Sequence, residues 1–304
     1  MDSIDRRILW VLDENCRASY ESLSQDLNIS ANAVRKRVEK LIHDGVILRF
    51  MVVPYNALID VDFICIIVYT DGEEDQGDLI QLMGNHPVVH HVSPIAAIEG
   101  GAYHLLGQYS SNQMLIEFRQ FLLGLNNVNQ VKQYPLLFQK GQKKNLSNTQ
   151  LKVLSCLVDN PRKSIADIAL CSNLAARTAR RILNQVQEEQ LIRFTVKWDI
   201  DAGENISFWI LINWNQKKAT YEELIEKMQK DFPNEYWTSF VAATEPIIFG
   251  RFVVDKLRMA HSIIGKVKKY DAVDSAQVFV CYSAYDFPWL GETFLQEMIS
   301  SLEM

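Results

Sequence analysis

Residues 28–50, NISANAVRKRVEKLIHDGVILRF, decide how the amino-terminal part of the chain folds. Ser30 has the short side-chain oxygen that suits a helix N-cap, and Val34, Val38, Leu41 and Ile42 follow it at helical spacing along one side. That side is expected to be buried. At about 100° per residue Asn32, Lys36 and Lys40 fall opposite, with Arg35 and Arg37 on the flanks, so cations and amides project away from the apolar stripe. The helix is expected to stop at His43-Asp44-Gly45, with Gly45 in the left-handed conformation of a C′ residue. Residues 46–53 then read as a β-branched strand.

Working outward, residues 5–15 (DRRILWVLDEN) and 20–27 (YESLSQDL) form two short amphipathic patterns, so the order is helix, helix, tight turn at Asn28-Ile29, helix, strand. This is the order of a winged helix-turn-helix, whose last helix reads a DNA groove. Three-helix units with a basic helix also serve as dimerisation modules, so the pattern alone leaves a protein-interaction scaffold open.

The 304 residues, 48% hydrophobic and 22% charged, can bury sizeable cores and predict two or more domains. No apolar run approaches the ~20 residues of a membrane helix, and the opening MDSIDRR has no apolar signal segment, so a cytoplasmic protein without a membrane partner is expected. Five cysteines, Cys16, Cys65, Cys156, Cys171 and Cys281, show no CxxC spacing and predict reduced, mostly buried thiols rather than disulfides or zinc ligands. The net charge of −6 hides a segregation: residues 140–197 hold 11 Lys/Arg against 4 Asp/Glu, and residues 1–50 balance at 8 and 8. Residues 51–139 hold 2 against 9, and 198–304 hold 10 against 16. Distribution outweighs the total, because phosphate attraction acts over a Debye length, about 10 Å in 0.1 M salt.

The chain repeats itself. At an offset of 145, Ile8, Leu9, Leu12, Asn15, Arg17, Ser19 and Leu23 meet Val153, Leu154, Leu157, Asn160, Arg162, Ser164 and Ile168. After the turn an offset of 144 aligns Lys36, Arg37, Val38, Ile42 and Arg49-Phe50 with Arg180, Arg181, Ile182, Val186 and Arg193-Phe194, which implies one residue lost. The second candidate reading helix is residues 175–189, AARTARRILNQVQEE, with Ile182 and Val186 inward and Arg177, Arg180 and Asn184 outward.

Behind each winged unit the periodicity becomes mixed. Strand, helix, strand, strand, helix and strand are expected at 62–70, 78–85, 88–98, 103–110, 112–125 and 128–138, and again at 206–214, 221–232, 235–244, 247–255, 257–270 and 272–282. That βαββαβ order closes into a ferredoxin-like sandwich, four antiparallel strands with both helices on one face. Residues 138–150, FQKGQKKNLSNTQ, read as a solvated linker whose Lys140, Lys143 and Lys144 sit at the surface. Residues 291–304 read as an added helix with Phe294, Leu295, Met298, Ile299 and Leu302 on one stripe, covering its own second domain or a second chain.

The wording NISANAVRKRVEKLIHDGVI, the helix order and the following βαββαβ pattern together resemble the Lrp/AsnC, or feast/famine, transcription regulators, over nearly the whole chain and twice. The expected fold class is therefore α+β: two tandem copies of a winged helix-turn-helix followed by a ferredoxin-like βαββαβ sandwich. The expected domains are 1–54 and 140–199, winged, and 55–139 and 200–304, ferredoxin-like sensor and assembly modules, the last with the terminal helix. The resemblance implies a sequence-specific regulator of double-stranded DNA that needs no cofactor. Its DNA contacts are expected at Asn32, Arg35, Lys36, Arg37 and Lys40, and at Arg177, Arg180, Arg181 and Asn184. It also implies a small amino-acid-like effector near a Gly-x-Tyr-Asp-like turn. Gly100, Gly101, Tyr103 and His104 match that turn, with His104 where the acid is expected, and residues 244–248 of the second copy have lost the glycines. A tight hairpin explains the same glycines. Family members pair through their sensor sheets, which here leaves a homodimer or an internal pseudo-dimer open.

Other chemistry finds little support. His86, His90 and His91 cluster in HPVVHH, but adjacent strand residues point to opposite faces and do not share one ion. No Gly-rich phosphate loop, nucleophile elbow or HExxH pair occurs, and Glu73-Glu74-Asp75 reads as an acidic loop before a helix. Siroheme decarboxylases share the architecture, and some fuse two such units. Their His-Asn-Tyr-Arg-like stretch is missing from residues 101–105 and 245–249.

Overall fold

The computed structural model describes residues 1–96, 99–138, 141–199, 202 and 205–301. Helix α1 (Ser3–Glu14) opens on a capping box in which Asp2 accepts from the Asp5 backbone N–H and Asp5 returns the favour to Asp2. Ser19 caps α2 (Tyr20–Leu27), which ends on Asn28 at φ 53°, a left-handed position that Asn tolerates better than most residues. Ser30 caps α3 (Ala31–His43), and Gly45 at φ +74° closes it as the sequence predicts. Strand β1 (Ile47–Pro54) and the single turn α4 (Asn56–Ile59) follow. Val34, Val38 and Leu41 are buried as expected, but Ile42 is 45% exposed, because it falls on the edge of the stripe rather than within it.

The chain continues through β2 (Asp62–Thr70), α5 (Gln76–Gly84), β3 (Val89–Ile95), β4 (Gly101–Tyr109), α6 (Asn112–Leu123) and β5 (Val128–Leu137). The second copy supplies α7 (Asn148–Ser155), α8 (Ile165–Ser172), α9 (Ala176–Glu188) and β6 (Ile192–Trp198). After them come β7 (Ile206–Trp214), α10 (Tyr221–Asp231), β8 (Tyr236–Ala242), β9 (Ile247–Val254), α11 (Leu257–Val267), β10 (Val273–Phe279), β11 (Tyr285–Asp286) and α12 (Leu290–Ser300). Of the expected elements, Ile98, Lys140 and Leu302 lie outside the described residues.

The structure corrects the internal register. Helices α3 and α9 span the same length, and buried Val34, Val38 and Leu41 correspond to buried Ala179, Leu183 and Val186, a constant offset of 145. The turns agree: Asn28 and Asn173 take φ 53° and 54°, and Gly45 and Gln190 take 74° and 51°. No residue is lost. The match of Lys36-Arg37 to Arg180-Arg181 is a coincidence of surface composition, and burial fixes the alignment instead.

Two compact units emerge: Met1–Asp60 with Gln139–Gly203 and Leu290–Met304, and Val61–Phe138 with Glu204–Trp289. The first contains both winged copies. Strands β1 and β6 pair antiparallel from Ile47 opposite Trp198 to Pro54 opposite Ile192. Arg17 donates to the carbonyls of Pro161 and Lys163, and its counterpart Arg162 donates to those of Cys16 and Ala18. This reciprocal exchange has the form of a twofold contact within one chain. Helix α12 also belongs to this unit rather than to the second sensor domain, one of the two coverings that the sequence leaves open. Leu295 is buried, and Glu292 accepts from Arg49 of β1 at 2.7 Å.

A second correction concerns cysteine. Cys156, at the end of α7, and Cys171 of α8 form a disulfide across a Cα separation of 6.0 Å, while Cys16, Cys65 and Cys281 are free and buried as expected. The expectation of reduced thiols rested on the missing CxxC motif, and two helices packed side by side bring distant cysteines together without one.

The second unit is a mixed arrangement of helices on a nine-stranded antiparallel sheet, ordered β10-β7-β9-β8-β5-β2-β4-β3-β11. Alternation along β2 sends Ile64, Ile66 and Val68 toward Leu79, Met83, Phe118 and Leu122 of α5 and α6. In the second half Phe208, Ile210 and Ile212 face Leu224 and Met228 of α10 and Ile263 and Val267 of α11. The helix-free faces enclose a third core in which Cys65, Ile67 and Tyr134 meet Trp209, Ile247 and Phe249. Each fully buried side chain of this size contributes about 1.5–3 kcal/mol. The two four-stranded halves are joined where Leu136 and Leu137 pair with Ala242 and Val241, and β11 extends the far edge beside β3.

Candidate nucleic-acid interface

The exposed faces of α3 and α9 gather cations and amides that make no hydrogen bond or ion pair among the described residues. Asn32, Arg35, Lys36 and Lys40 are exposed on α3, and Arg177, Arg180, Arg181 and Asn184 on α9. An open groove along α9 is lined by Arg177, Arg180, Arg181, Asn184 and Gln185, with Glu188 and Glu189 at its far end. The Arg35 guanidinium lies 6.0 Å from the Tyr20 ring centre, which orients it without neutralising it.

Arg37 is set apart from this group. It is half-buried and donates to Asp5 at 2.7 Å and Asp2 at 2.8 Å, so it ties α3 to the start of α1 instead of projecting outward. The bonds to Asp5 and then Asp2 raise its pKa above the ordinary arginine value. Its counterpart at the offset of 145 is the buried Ile182, which confirms that the position faces inward. In the linker, Lys143 pairs with Asp60 at 2.9 Å and Lys144 with Glu189 at 2.6 Å, both at the surface.

The four effector-turn residues divide between two faces. Gly100 has φ +65°, which favours glycine, and a Cβ on Gly101 would crowd the Glu74 carboxylate and Thr70 Oγ1, so glycine lets these side chains lie close against the strand. Tyr103 and Thr70 both donate to Glu74 Oε1 at 2.7 Å. Burial and then the bond to Glu74 push the Tyr103 hydroxyl well above its ordinary pKa. Burial works against the Glu74 carboxylate, but the bonds from Tyr103 and Thr70 outweigh it and bring the group below its ordinary value. Glu74, in the loop before α5, thus brings a carboxylate to this turn. Its signal is the glycine pair, since two small residues opposite a carboxylate mark a close approach.

His104 points the other way, between the sheets, 5.1 Å from the Trp209 ring centre and 5.7 Å from that of Phe279. It is 1% exposed, and neither ring nitrogen has a hydrogen bond. Burial first, then His91, Arg251 and His90, hold its pKa well below the ordinary value, so it is neutral. Nearby, His91 bonds to Ser93 Oγ at 2.8 Å and Asp286 at 3.1 Å. The series has the order of nucleophile, base and acid, but Ser93 is only 3% exposed, and the bonds serve to hold β11 against β3. Among the described residues no group of three His, Cys, Asp or Glu is placed to hold a metal ion, and no helix is long and apolar enough to cross a membrane.

Known families match the sequence of both winged copies. Residues 1–42 match the AsnC-type helix-turn-helix domain, and residues 146–193 match a winged helix-turn-helix DNA-binding domain. The HTH-type transcriptional regulator LysM of Sulfurisphaera tokodaii is 50% identical over 52 residues, 17% of this chain and 37% of that protein. An uncharacterized HTH-type transcriptional regulator of Pyrococcus horikoshii is 28% identical over 99 residues, 32% of this chain and 66% of that one. The chain thus spans little more than a third of the length, 37%, of the first of these relatives. Across the full length of both chains, the solved structure of the siroheme decarboxylase NirDL is similar at a TM-score of 0.57 and 13% identity, a likeness of fold.

Proposed function

We propose that this chain, which belongs to the Lrp/AsnC family through its AsnC-type helix-turn-helix domain and its regulator relatives, is a sequence-specific DNA-binding transcription regulator. The observation that carries this reading is the pair of exposed cationic helices, α3 and α9, in two winged copies joined by β1 and β6. Each helix enters a major groove, where phosphate contacts supply most of the affinity and base edges supply sequence preference. Asn32, Arg35, Lys36 and Lys40 act for the first copy, and Arg177, Arg180, Arg181 and Asn184 for the second. Arg37 holds α3 in place. We read the fold as tandem winged and ferredoxin-like domains divided near residues 54, 139 and 199. The two winged copies work as an internal pseudo-dimer on two half-sites that differ, an imperfect inverted repeat.

A mobility-shift titration of random duplex DNA at low and high salt tests the reading. Binding should weaken steeply as salt rises, and replacing Lys36 and Arg180 with Glu should reduce affinity at least about tenfold and flatten the salt dependence by roughly 2 in slope. Absent or salt-insensitive binding would instead favour an interaction scaffold. Glu74, Tyr103 and Gly101 form the effector site in this proposal. Glu74 Oε2 is buried without a hydrogen bond, which suits a ligand that carries an amine.

A second reading keeps one specific support. The full-length likeness in fold to a siroheme decarboxylase, together with the buried His104 and its neighbours His91 and Arg251, leaves room for chemistry between the sheets. Incubation with siroheme followed by absorbance and mass measurement decides it, and turnover would replace the regulator reading.

A further inference from the structure

The corrected register makes the two reading helices comparable position by position. With the offset of 145, Ala31 meets Ala176, Arg35 meets Arg180 and Lys36 meets Arg181, so the first two turns of both helices present nearly the same cations. Ala33 and Thr178 also correspond, and both are half-buried. The one position in these turns that is exposed in both copies and where the kind of hydrogen bonding changes is the second residue, Asn32 in α3 and Arg177 in α9. An amide both donates and accepts, whereas a guanidinium only donates. Neither side chain makes a hydrogen bond or ion pair with the described residues, and both stand at the helix N-terminus, the end whose residues reach base edges in helix-turn-helix proteins. Glu39 and Asn184, and Lys40 and Gln185, also differ, but they lie in the third turn, farther from that end.

We propose that Asn32 and Arg177 are the specificity-determining pair of this chain, Asn32 reading adenine in one half-site and Arg177 reading guanine at the equivalent position of the other. The chemistry follows from the bases. Asn donates to adenine N7 and accepts from N6, and Arg donates twice to guanine O6 and N7. The joined winged copies present both heads at once, so the recognised sequence is an inverted repeat broken at one base pair per half. This inference rests on the DNA-binding reading above.

The test is selection of bound duplexes from a random pool by the full chain, by Asn32→Arg and by Arg177→Asn, alongside mobility shifts on unselected duplex. For the unaltered chain, exchanging the adenine or the guanine should weaken binding about 5- to 150-fold. Asn32→Arg should convert the adenine half-site to guanine and make the selected repeat symmetric, and Arg177→Asn should make it symmetric the other way. Both substitutions are at exposed positions, and circular dichroism checks that the variants remain folded. Variants that bind unselected duplex but select an unchanged sequence would overturn the assignment and leave DNA binding standing. An unaltered chain that shifts no duplex would overturn the DNA-binding reading, and this inference with it.

Discussion

His104 shows what one buried side chain costs. In the unfolded chain its imidazole titrates near the ordinary ~6.5, and in the fold it stays neutral to well below that. The unfolded state therefore binds the proton first, so the contribution of this site is fully present above about pH 6.5 and is lost as pH falls. The slope approaches about 1.4 kcal/mol per pH unit for one proton. Burial lowers the pKa of His86 in the same direction. Urea unfolding at pH 7.5 and 5.0 should show the loss, and His104→Gln should remove part of it. An unchanged pH dependence in that variant would mean that other groups carry it. Arg37 offers the opposite lesson, since its partners Asp2 and Asp5 are 35 and 32 residues away. A helical wheel drawn for residues 31–43 alone cannot reveal that α1 has already claimed one of its cations.

The elements themselves explain why so much of the chain was legible and where legibility stopped. Caps and apolar spacing are local, and they predicted α3 between Ser30 and Gly45. Ala175 is the exception, since it caps α9 without a side-chain hydrogen bond where Ser30 supplies one in the first copy. Ala175→Ser should stabilise the chain by about 1 kcal/mol, read as a higher midpoint in thermal or urea unfolding without DNA. No change would mean that the α9 terminus already satisfies its N–H groups in another way. What failed to show in the sequence was contact between elements. The Cys156–Cys171 bond joins α7 to α8 across 15 residues, and nothing in composition marks those two of five cysteines. The offset of 145 was hidden by a better letter match at 144, which sets Lys36-Arg37 against Arg180-Arg181 but carries only Val38 of the buried Val34, Val38 and Leu41 onto a buried position. Glu74 was missed because its role depends on Gly101 arriving from another strand.

At the scale of the molecule, the two winged copies meet in a contact within one chain. The exchange of Arg17 and Arg162 between copies is half of that contact, and the β1–β6 ladder is the other half. Each guanidinium also lies over a ring of the opposite copy, Arg17 at 5.6 Å from Phe194 and Arg162 at 4.8 Å from Tyr20. Burial lowers the pKa of Arg17, so its bonds to the backbone carbonyls offset a real desolvation cost. Hydrogen bonds from a charged donor contribute about 1.5–3 kcal/mol, and removing both arginines strikes the contact from both sides. Replacing Arg17 and Arg162 with Ala should therefore destabilise the chain by roughly 3 kcal/mol or more and loosen one winged copy from the other. On the proposed DNA-binding function the consequence is specific: affinity for a single half-site should persist, while the advantage of a duplex with two half-sites at fixed spacing should disappear, because the heads no longer share one geometry. Titrating single and double half-site duplexes against both proteins measures this directly. A variant that keeps the full advantage of the double site would show that the arginines are dispensable for aligning the heads.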